Sequence, residues 1–181
     1  MRVITGKYKG RHFEPPKGFK ARPTTDFAKE NLFNVLNAYV DYDSSPSALD
    51  LFSGTGGISL ELVSRGCGHV VSVEQNPLHH AFIASMFRKL GEKAVVPVRT
   101  DVFHFLEVCY ETYDIIFADP PYALQNLESI PELVFNKKLL KADGVFVLEH
   151  GKEHDFSNDP HFVEHRAYGS VNFTLFRNIE R

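Results

Sequence analysis

The chain has 181 residues, 43% of them hydrophobic and 24% charged, which suits one globular domain with a substantial core. No apolar run approaches the ~20 residues that span a bilayer, and the charged N-terminus lacks the apolar segment of a signal peptide. Cys67 and Cys109, like the nine histidines, lack metal-ligand spacing, and His79-His80 is expected on a helix surface rather than at a metal site. We therefore expect a reduced, cytoplasmic, metal-free protein, and we expect it to be a monomer.

The N-terminal segment differs in charge from the rest of the chain. Residues 2–5 and 10–13 predict a short hairpin, and residues 1–30 hold eight Lys/Arg against three Asp/Glu, although the whole chain has a net charge of −3. A basic arm on an acidic body is typical of an RNA-facing edge, whereas a solvated hairpin with ordinary surface lysines would show the same pattern. The candidate RNA-binding residues are Lys7, Lys9, Arg11, Lys17, Lys20 and Arg22.

The remaining elements alternate in type along the chain. A helix over residues 26–40 comes first, from apolar residues at helical spacing. Strands are predicted at 48–52, 69–74, 94–98, 113–118 and 145–149, and helices at 57–65, 77–90, 102–110 and 131–140. Such alternation indicates an α/β fold with a mostly parallel sheet and helices on both faces. Residues 161–167 and 171–177, around Gly169-Ser170, predict a C-terminal antiparallel hairpin.

The first strand of this series runs into a glycine turn. Gly54 and Gly56 suit a backbone that passes close to a ligand, but the third glycine of a dinucleotide fingerprint would fall at Ser59. A nicotinamide oxidoreductase is therefore disfavoured. Glu74, twenty residues after Gly54, ends the next strand and can accept hydrogen bonds from both hydroxyls of a ribose. Together these features predict an adenosine-containing cofactor.

Ligands of open α/β sheets bind beyond the carboxyl ends of the strands, so the residues there should converge. Asp101 is a candidate acceptor for an adenine amino group, and it is equally well placed to cap the following helix. Asp50 is a candidate for orienting the turn as well as for contacting the ligand. The candidate cofactor-binding residues are Asp50, Phe52, Ser53, Gly54, Thr55, Gly56, Glu74, Gln75, Asp101, Val102 and Asp119.

The most informative motif is Asp119-Pro120-Pro121-Tyr122, which follows an apolar strand. Both prolines lack an N–H, so the loop offers a carboxylate and carbonyls as acceptors but few donors. An exocyclic amino group needs such acceptors, and an aromatic ring can stack on its base for roughly 1–3 kcal/mol. These four residues are the candidate catalytic set, and the alternative is a proline-rich turn that ends a buried strand.

With these motifs the chain resembles the bacterial guanine-N2 methyltransferases of 16S ribosomal RNA, a family of class I S-adenosylmethionine-dependent enzymes. The similarity includes residues 2–11, the run Arg22-Pro23-Thr24-Thr25-Asp26, residues 30–36, the glycine turn and the Asp-Pro-Pro-Tyr loop. One departure is Ala28-Lys29, where the family pattern has a bulky residue and an arginine with its planar fork of donors. The resemblance implies a Rossmann-like, seven-stranded, mostly parallel sheet, with residues 1–25 as a basic arm and 26–181 as the catalytic core.

The same resemblance implies transfer of a methyl group from S-adenosylmethionine to guanine N2 in small-subunit RNA, either as naked RNA or within an assembled subunit. The Asp-Pro-Pro-Tyr motif is shared with adenine-N6 enzymes, so an adenine-N6 methyltransferase acting on DNA or another RNA is the alternative. A non-catalytic RNA-binding protein is disfavoured, because it would need neither the cofactor turn nor the amino-capturing loop.

Overall fold

The computed structural model describes residues 1–20 and 24–179 of the chain. Five α-helices cover Asp26–Leu36 (α1), Gly57–Arg65 (α2), Pro77–Leu90 (α3), Val102–Val108 (α4) and Ser129–Asn136 (α5). Seven strands cover Ser47–Leu51 (β1), His69–Val73 (β2), Val95–Val98 (β3), Tyr113–Ala118 (β4), Leu140–His150 (β5), Phe162–Tyr168 (β6) and Val171–Phe176 (β7). None of the helices in these ranges is long and apolar enough to cross a membrane.

The seven strands form one mixed sheet in the order β3-β2-β1-β4-β5-β7-β6. The first five strands in this order are parallel, and β7 joins β5 in the antiparallel sense. β6 and β7 form the C-terminal hairpin, whose turn contains Gly169 at φ +64°. The predicted fold class, a Rossmann-like, mostly parallel seven-stranded sheet with helices and a C-terminal antiparallel hairpin, is therefore confirmed.

The central strands are buried on both faces, which explains their nearly continuous apolar sequences. One apolar cluster lies between the sheet and helices α1, α2 and α3, with Phe33 and Leu60 almost fully buried. The other lies between the sheet and helices α4 and α5, with Leu106 and Val134 fully buried. With helices packed on both faces, the parallel strands place their carboxyl ends together at one edge of the sheet, where a site can form.

Several boundaries differ from the sequence predictions. α1 ends at Leu36 rather than at residue 40, because residues 37–40 continue as tight turns, with Ala38 N–H bound to the Val35 carbonyl. α5 ends at Asn136, two residues before Lys138 takes a left-handed conformation at φ +55°. β5 consequently begins at Leu140, a position that the sequence assigned to the helix. α4 is also shorter than predicted and ends at Val108.

The N-terminal arm is a compact turn that docks on α2. Its predicted hairpin reduces to one bridge, between Arg2 and His12. Glu61 of α2 is fully buried and accepts hydrogen bonds from the backbone amides of Ile4 and Thr5, at 2.9 and 3.0 Å. Arg65 also donates to Glu61, at 2.9 Å. The arm is therefore held to the body by a buried carboxylate rather than by strand pairing.

Candidate active site

A cavity of about 540 Å³ opens at the carboxyl ends of β1, β2, β4 and β5. It is lined by residues from these strand ends and by Met1, Thr24, Thr25 and Lys29 from the arm and α1. Of the candidates from sequence, the lining includes Asp50, Phe52, Ser53, Gly54, Thr55, Glu74, Gln75, Val102, Asp119, Pro120, Pro121 and Tyr122. Gly56 and Asp101 do not line it.

The glycine turn between β1 and α2 has the backbone that its sequence suggests. Phe52, Gly54 and Gly56 have φ angles of +59°, +56° and +79°. A Cβ atom at Gly56 would lie 3.0 Å from Ile83 Cγ1 on α3, so this glycine is needed for packing as well as for conformation. Gly56 therefore packs against α3 and does not line the cavity, whereas Gly54 does.

Asp50 is buried beneath this turn and organises it. Its Oδ2 accepts hydrogen bonds from the Ser59 amide at 3.1 Å and the Ser59 hydroxyl at 2.6 Å. The Ser53 hydroxyl donates to the Asp50 carbonyl, and Ser72 donates to Ser53. Complete burial raises the pKa of Asp50 to about 7, and the charge of Asp119 acts in the same direction. Ser59, which replaces a fingerprint glycine, thus has a specific role as the donor to Asp50.

Glu74 directly follows β2 and lies beside the glycine turn on the cavity wall. His79 of α3 approaches it, with Nδ1 3.3 Å from Glu74 Oε1, and the backbone amides of Gly54 and Asn76 donate to the same carboxylate. Burial raises the pKa of Glu74, and these contacts oppose that rise. The sequence suggested that His79 lies on a helix surface, but it is 7% exposed and stacks on Phe19 of the arm, with ring centroids 4.2 Å apart.

Asp119 follows the last residue of β4, and its amide donates to the Leu51 carbonyl of β1. Its carboxyl group lies beside that of Glu149, at the end of β5, which also lines the cavity. Burial, together with this neighbouring acid, raises the pKa of Asp119 well above its usual value. The sequence analysis missed Glu149, although it is the last residue of a predicted strand adjacent to that of Asp119.

The rest of the Asp-Pro-Pro-Tyr loop forms the rim of the cavity. Pro120 is buried, whereas Tyr122 has 67% of its surface exposed. The loop turns back at Pro121, whose carbonyl accepts a hydrogen bond from the Leu124 amide. An aromatic face at the rim and a carboxyl group at the base give the cavity a shape suited to a flat, amino-bearing ring.

Asp101 has the capping geometry that its position suggested. Its side chain accepts a hydrogen bond from the His104 amide at 3.1 Å, so it is the N-cap of α4. It is exposed beside the cavity, while the next residue, Val102, is buried and lines the cavity wall. The contact of Asp101 with an adenine remains a prediction.

The basic candidates of the arm lie in different environments. Lys7 Nζ forms an ion pair with Glu92 Oε2, at 2.6 Å. Lys9, Arg11 and Lys17 are exposed. Lys20 lines the cavity itself. Arg22, also a candidate for RNA binding, lies outside the described residues.

Lys29, the departure from the family pattern, is buried beneath the arm rather than exposed to RNA. Its Nζ donates to the Arg2 carbonyl and lies 3.9 Å from Glu61 Oε2. Its ammonium group thus joins α1 to the arm and to the buried carboxylate of α2. Burial lowers the pKa of Lys29, and the charge of Glu61 opposes that change. No group of three or more His, Cys, Asp or Glu side chains within residues 1–20 and 24–179 is arranged to hold a metal ion.

The topology, the glycine turn and the Asp-Pro-Pro-Tyr loop on one cavity define a class I methyltransferase that uses S-adenosylmethionine. More narrowly, the chain belongs to the family described as Conserved hypothetical protein 95, whose model matches residues 1–177. This confirms the family resemblance that the sequence motifs indicated.

Relatives and solved structures agree with this assignment. The chain is 35% identical over 157 residues to the rRNA methyltransferase candidate YlbH of Bacillus subtilis, covering 84% of each chain. It is 28% identical over 180 residues to ribosomal RNA small subunit methyltransferase D of Escherichia coli, covering 98% of this chain and 89% of that protein. The structure of the Thermus thermophilus protein TTHA0928 superposes with a TM-score of 0.85 at 29% identity, covering 98% of this chain and 99% of that one.

Proposed function

We propose that the protein transfers a methyl group from S-adenosylmethionine to the N2 amino group of a guanine in small-subunit (16S) ribosomal RNA. The observation that carries this proposal is that Asp119 and Tyr122 share one cavity with Gly54 and Glu74. An amino-capturing loop and a cofactor-binding turn thus face the same space. The names of the Bacillus subtilis and Escherichia coli relatives support ribosomal RNA as the substrate.

The cavity fits the cofactor by the chemistry of its walls. Gly54 provides close backbone approach, Glu74 provides a carboxylate for the ribose hydroxyls, and Val102 provides an apolar surface for the adenine. Phe52, Ser53, Thr55 and Gln75 complete the wall near the turn, while Asp50 and Gly56 hold the turn in shape. When bound there, S-adenosylmethionine supplies an electrophilic methyl group.

The chain's own residues then prepare the nucleophile. The amino group of guanine is conjugated with its ring, so its nitrogen is a weak nucleophile. Hydrogen bonds from this amino group to the carboxylate of Asp119 and the carbonyl of Pro120 draw the nitrogen towards tetrahedral geometry. Tyr122 at the rim stacks on the ring, and the target base leaves its own stack to reach the pocket. Positioning of this kind can lower the barrier by several kcal/mol.

The basic arm is proposed to contact the RNA backbone. Lys9, Arg11 and Lys17 are exposed and can reach phosphates, whereas Lys7 is already paired with Glu92. Lys20 lines the cavity, where it can contact either the target nucleotide or the cofactor. In functional terms, residues 1–25 are then an RNA-docking arm and residues 26–181 a catalytic core, within one domain.

Because the arm is short, recognition should depend on a shaped surface more than on a long sequence. We therefore propose an assembled or partly assembled small subunit in the cytoplasm as the preferred substrate, and a monomer that needs no metal as the active species.

The deciding experiment combines the purified protein, labelled S-adenosylmethionine and small ribosomal subunits from a strain that lacks the gene. Nucleosides from the methylated RNA are separated and identified by mass spectrometry. Labelled N2-methylguanosine supports the proposal, and a higher rate on subunits than on naked 16S RNA supports the assembled substrate. Labelled N6-methyladenine, in RNA or in DNA, would instead establish the adenine-N6 alternative.

A further inference from the structure

Two carboxyl groups meet at the reactive end of the cavity. Ala118 of β4 pairs with Leu148 of β5, so the following residues, Asp119 and Glu149, lie side by side at the edge of the sheet. Both line the cavity, and their carboxyl groups are close enough to act on each other. Two carboxyl groups placed side by side in a buried site do not both ionise readily, so the pair retains a proton.

The surroundings of the pair favour retention of this proton. Glu149 is 8% exposed, and its Oε2 is buried with no hydrogen-bond partner among the described residues. Asp50, beneath the turn, faces Asp119 and adds a further acidic group. Two carboxylates so placed cannot both ionise readily.

Other charged groups face the same cavity. Glu74 and His79 lie on the wall of the glycine turn, where they contact each other, and Lys20 lies on the arm. Lys29 also lines the cavity, but its ammonium group is directed to Arg2 and Glu61. Within residues 1–20 and 24–179, therefore, no ion pair neutralises Asp119 or Glu149.

The two acids share one proton. Burial raises the pKa of both Asp119 and Glu149, and the neighbouring Glu149 raises the pKa of Asp119 further. While the proton remains on the pair, the Asp119 carboxyl group is directed at Glu149 instead of at an incoming amino group.

We propose that Glu149 is a positioning residue that acts through Asp119: the two carboxyl groups share a proton, and this proton must leave before Asp119 becomes a charged acceptor for the amino group of the target base. This inference rests on the proposed function, since it assigns Asp119 the role of acceptor. Glu149 thereby sets the pH above which Asp119 is ionised and can accept the amino group.

The pair also provides a destination for the proton that methylation releases. As the bond from guanine N2 to the methyl carbon forms, the sulfur–carbon bond breaks and its electron pair stays on sulfur. N2 is then positively charged, and it loses one proton to the Asp119 carboxylate. With Glu149 beside it, Asp119 is a stronger base than an ordinary aspartate, so this proton is accepted readily and is shared again with Glu149.

The first test needs neither substrate nor cofactor. In protein labelled with ¹³C at its side-chain carboxyl groups, the Asp119 resonance is assigned from its loss in Asp119→Asn and followed by NMR as pH varies. We expect Asp119 to titrate well above the ordinary range in the wild type. Glu149→Gln removes the neighbouring charge and should lower its midpoint by about one pH unit or more. Glu107→Gln, the same change at an exposed position on α4, should leave the midpoint unchanged.

The second test is the pH dependence of the single-turnover rate of methyl transfer. With Glu149→Gln the acidic limb of the profile should move to lower pH in parallel with the NMR midpoint, whereas a loss of packing alone would lower the rate equally at every pH.

A wild-type Asp119 midpoint within the usual range for aspartate would overturn the inference, even if the Glu149→Gln variant failed to fold. The inference would also be overturned if this variant folded and the acidic limb of its pH–rate profile stayed where it is in the wild type. Failure of the proposed function is distinguished by product analysis, because the NMR titration does not depend on which base is methylated.

Discussion

His79 Nδ1 of α3 lies 3.3 Å from Glu74 Oε1, so a carboxylate on the cavity wall is held by a buried side chain of α3. Phe19 of the arm stacks on the same imidazole, at 4.2 Å between ring centroids. The arm and the Glu74 carboxylate are thus connected through one side chain. We therefore expect contacts made by the arm to influence the geometry of this cavity wall.

The first prediction concerns the affinity for the cofactor. Glu74→Ala would leave the two ribose hydroxyls without their charged acceptor, at a cost of about 1.5–3 kcal/mol, or roughly tenfold to hundredfold in Kd. Isothermal titration calorimetry with S-adenosylhomocysteine measures this loss. Glu107→Ala, which removes an exposed carboxylate of α4, is the matched control and should bind normally. An unchanged Kd for Glu74→Ala would place the adenosine elsewhere.

The second prediction concerns the amino-capturing loop. Asp119→Ala should abolish methyl transfer in single turnover, because the amino group loses its charged acceptor, while the binding of S-adenosylhomocysteine falls only modestly. Circular dichroism should show a folded protein. Single-turnover transfer near the wild-type rate would contradict the assignment of Asp119.

The third prediction separates the ring of Tyr122 from its hydroxyl group. Tyr122→Ala should slow transfer, since stacking on the target base is worth roughly 1–3 kcal/mol, whereas Tyr122→Phe should retain most of the rate. Both variants are compared on the same RNA by single-turnover kinetics. Equal rates for Tyr122→Ala and the wild type would mean that the ring does not contact the base.

The elements of the core could be predicted because each depends on local sequence. The strands from β1 to β4 agree with prediction to within one residue at each end, since buried apolar runs bounded by polar or glycine residues are distinctive. The bounds of α3, from Pro77 to Leu90, were also predicted correctly. The end of α5 was not, because the left-handed backbone of Lys138 has no signal in the sequence.

The candidate site was predicted only in part, for a related reason. Strand ends indicate which residues lie at the ligand-binding edge, and so the glycine turn, Glu74 and Asp119 could be found. The contact between Asp119 and Glu149 depends on the register of β4 against β5, which includes an irregularity near Asp114 and cannot be read from either strand alone. His79 looked like a surface residue because its burial comes from Phe19, sixty residues earlier in the chain.

A fourth prediction concerns the arm as an RNA contact. Replacing Lys9, Arg11 and Lys17 together with Glu should weaken RNA binding and reduce the slope of log K against log salt by about 2, since each lost phosphate contact contributes ~0.7. Filter binding over a series of salt concentrations measures both. The control is a second triple variant in which Lys89, Lys93 and Lys137 are changed to Glu. These lysines are exposed and lie outside the arm, and the change in net charge is the same. Equal weakening by both triple variants would mean that only net charge matters.

The final prediction concerns the pH dependence of stability. Burial raises the pKa of Asp50 to about 7, against an ordinary aspartate pKa of 3.8 in an unfolded chain. The folded protein therefore binds the Asp50 proton more tightly, and the stability from this group is fully present at low pH and lost as pH rises from about 4 to 7. Asparagine still accepts hydrogen bonds from Ser59 but does not ionise.

Asp50→Asn should accordingly reduce the loss of unfolding free energy between pH 4 and pH 7, by about 4 kcal/mol at most. Urea denaturation at a series of pH values measures the wild type and the variant side by side. Glu107→Gln, an exposed carboxylate exchanged for its amide, should follow the wild-type curve. Parallel curves for Asp50→Asn and the wild type would show that Asp50 is ionised in the folded protein throughout this range, with its charge stabilised by the Ser59 hydrogen bonds.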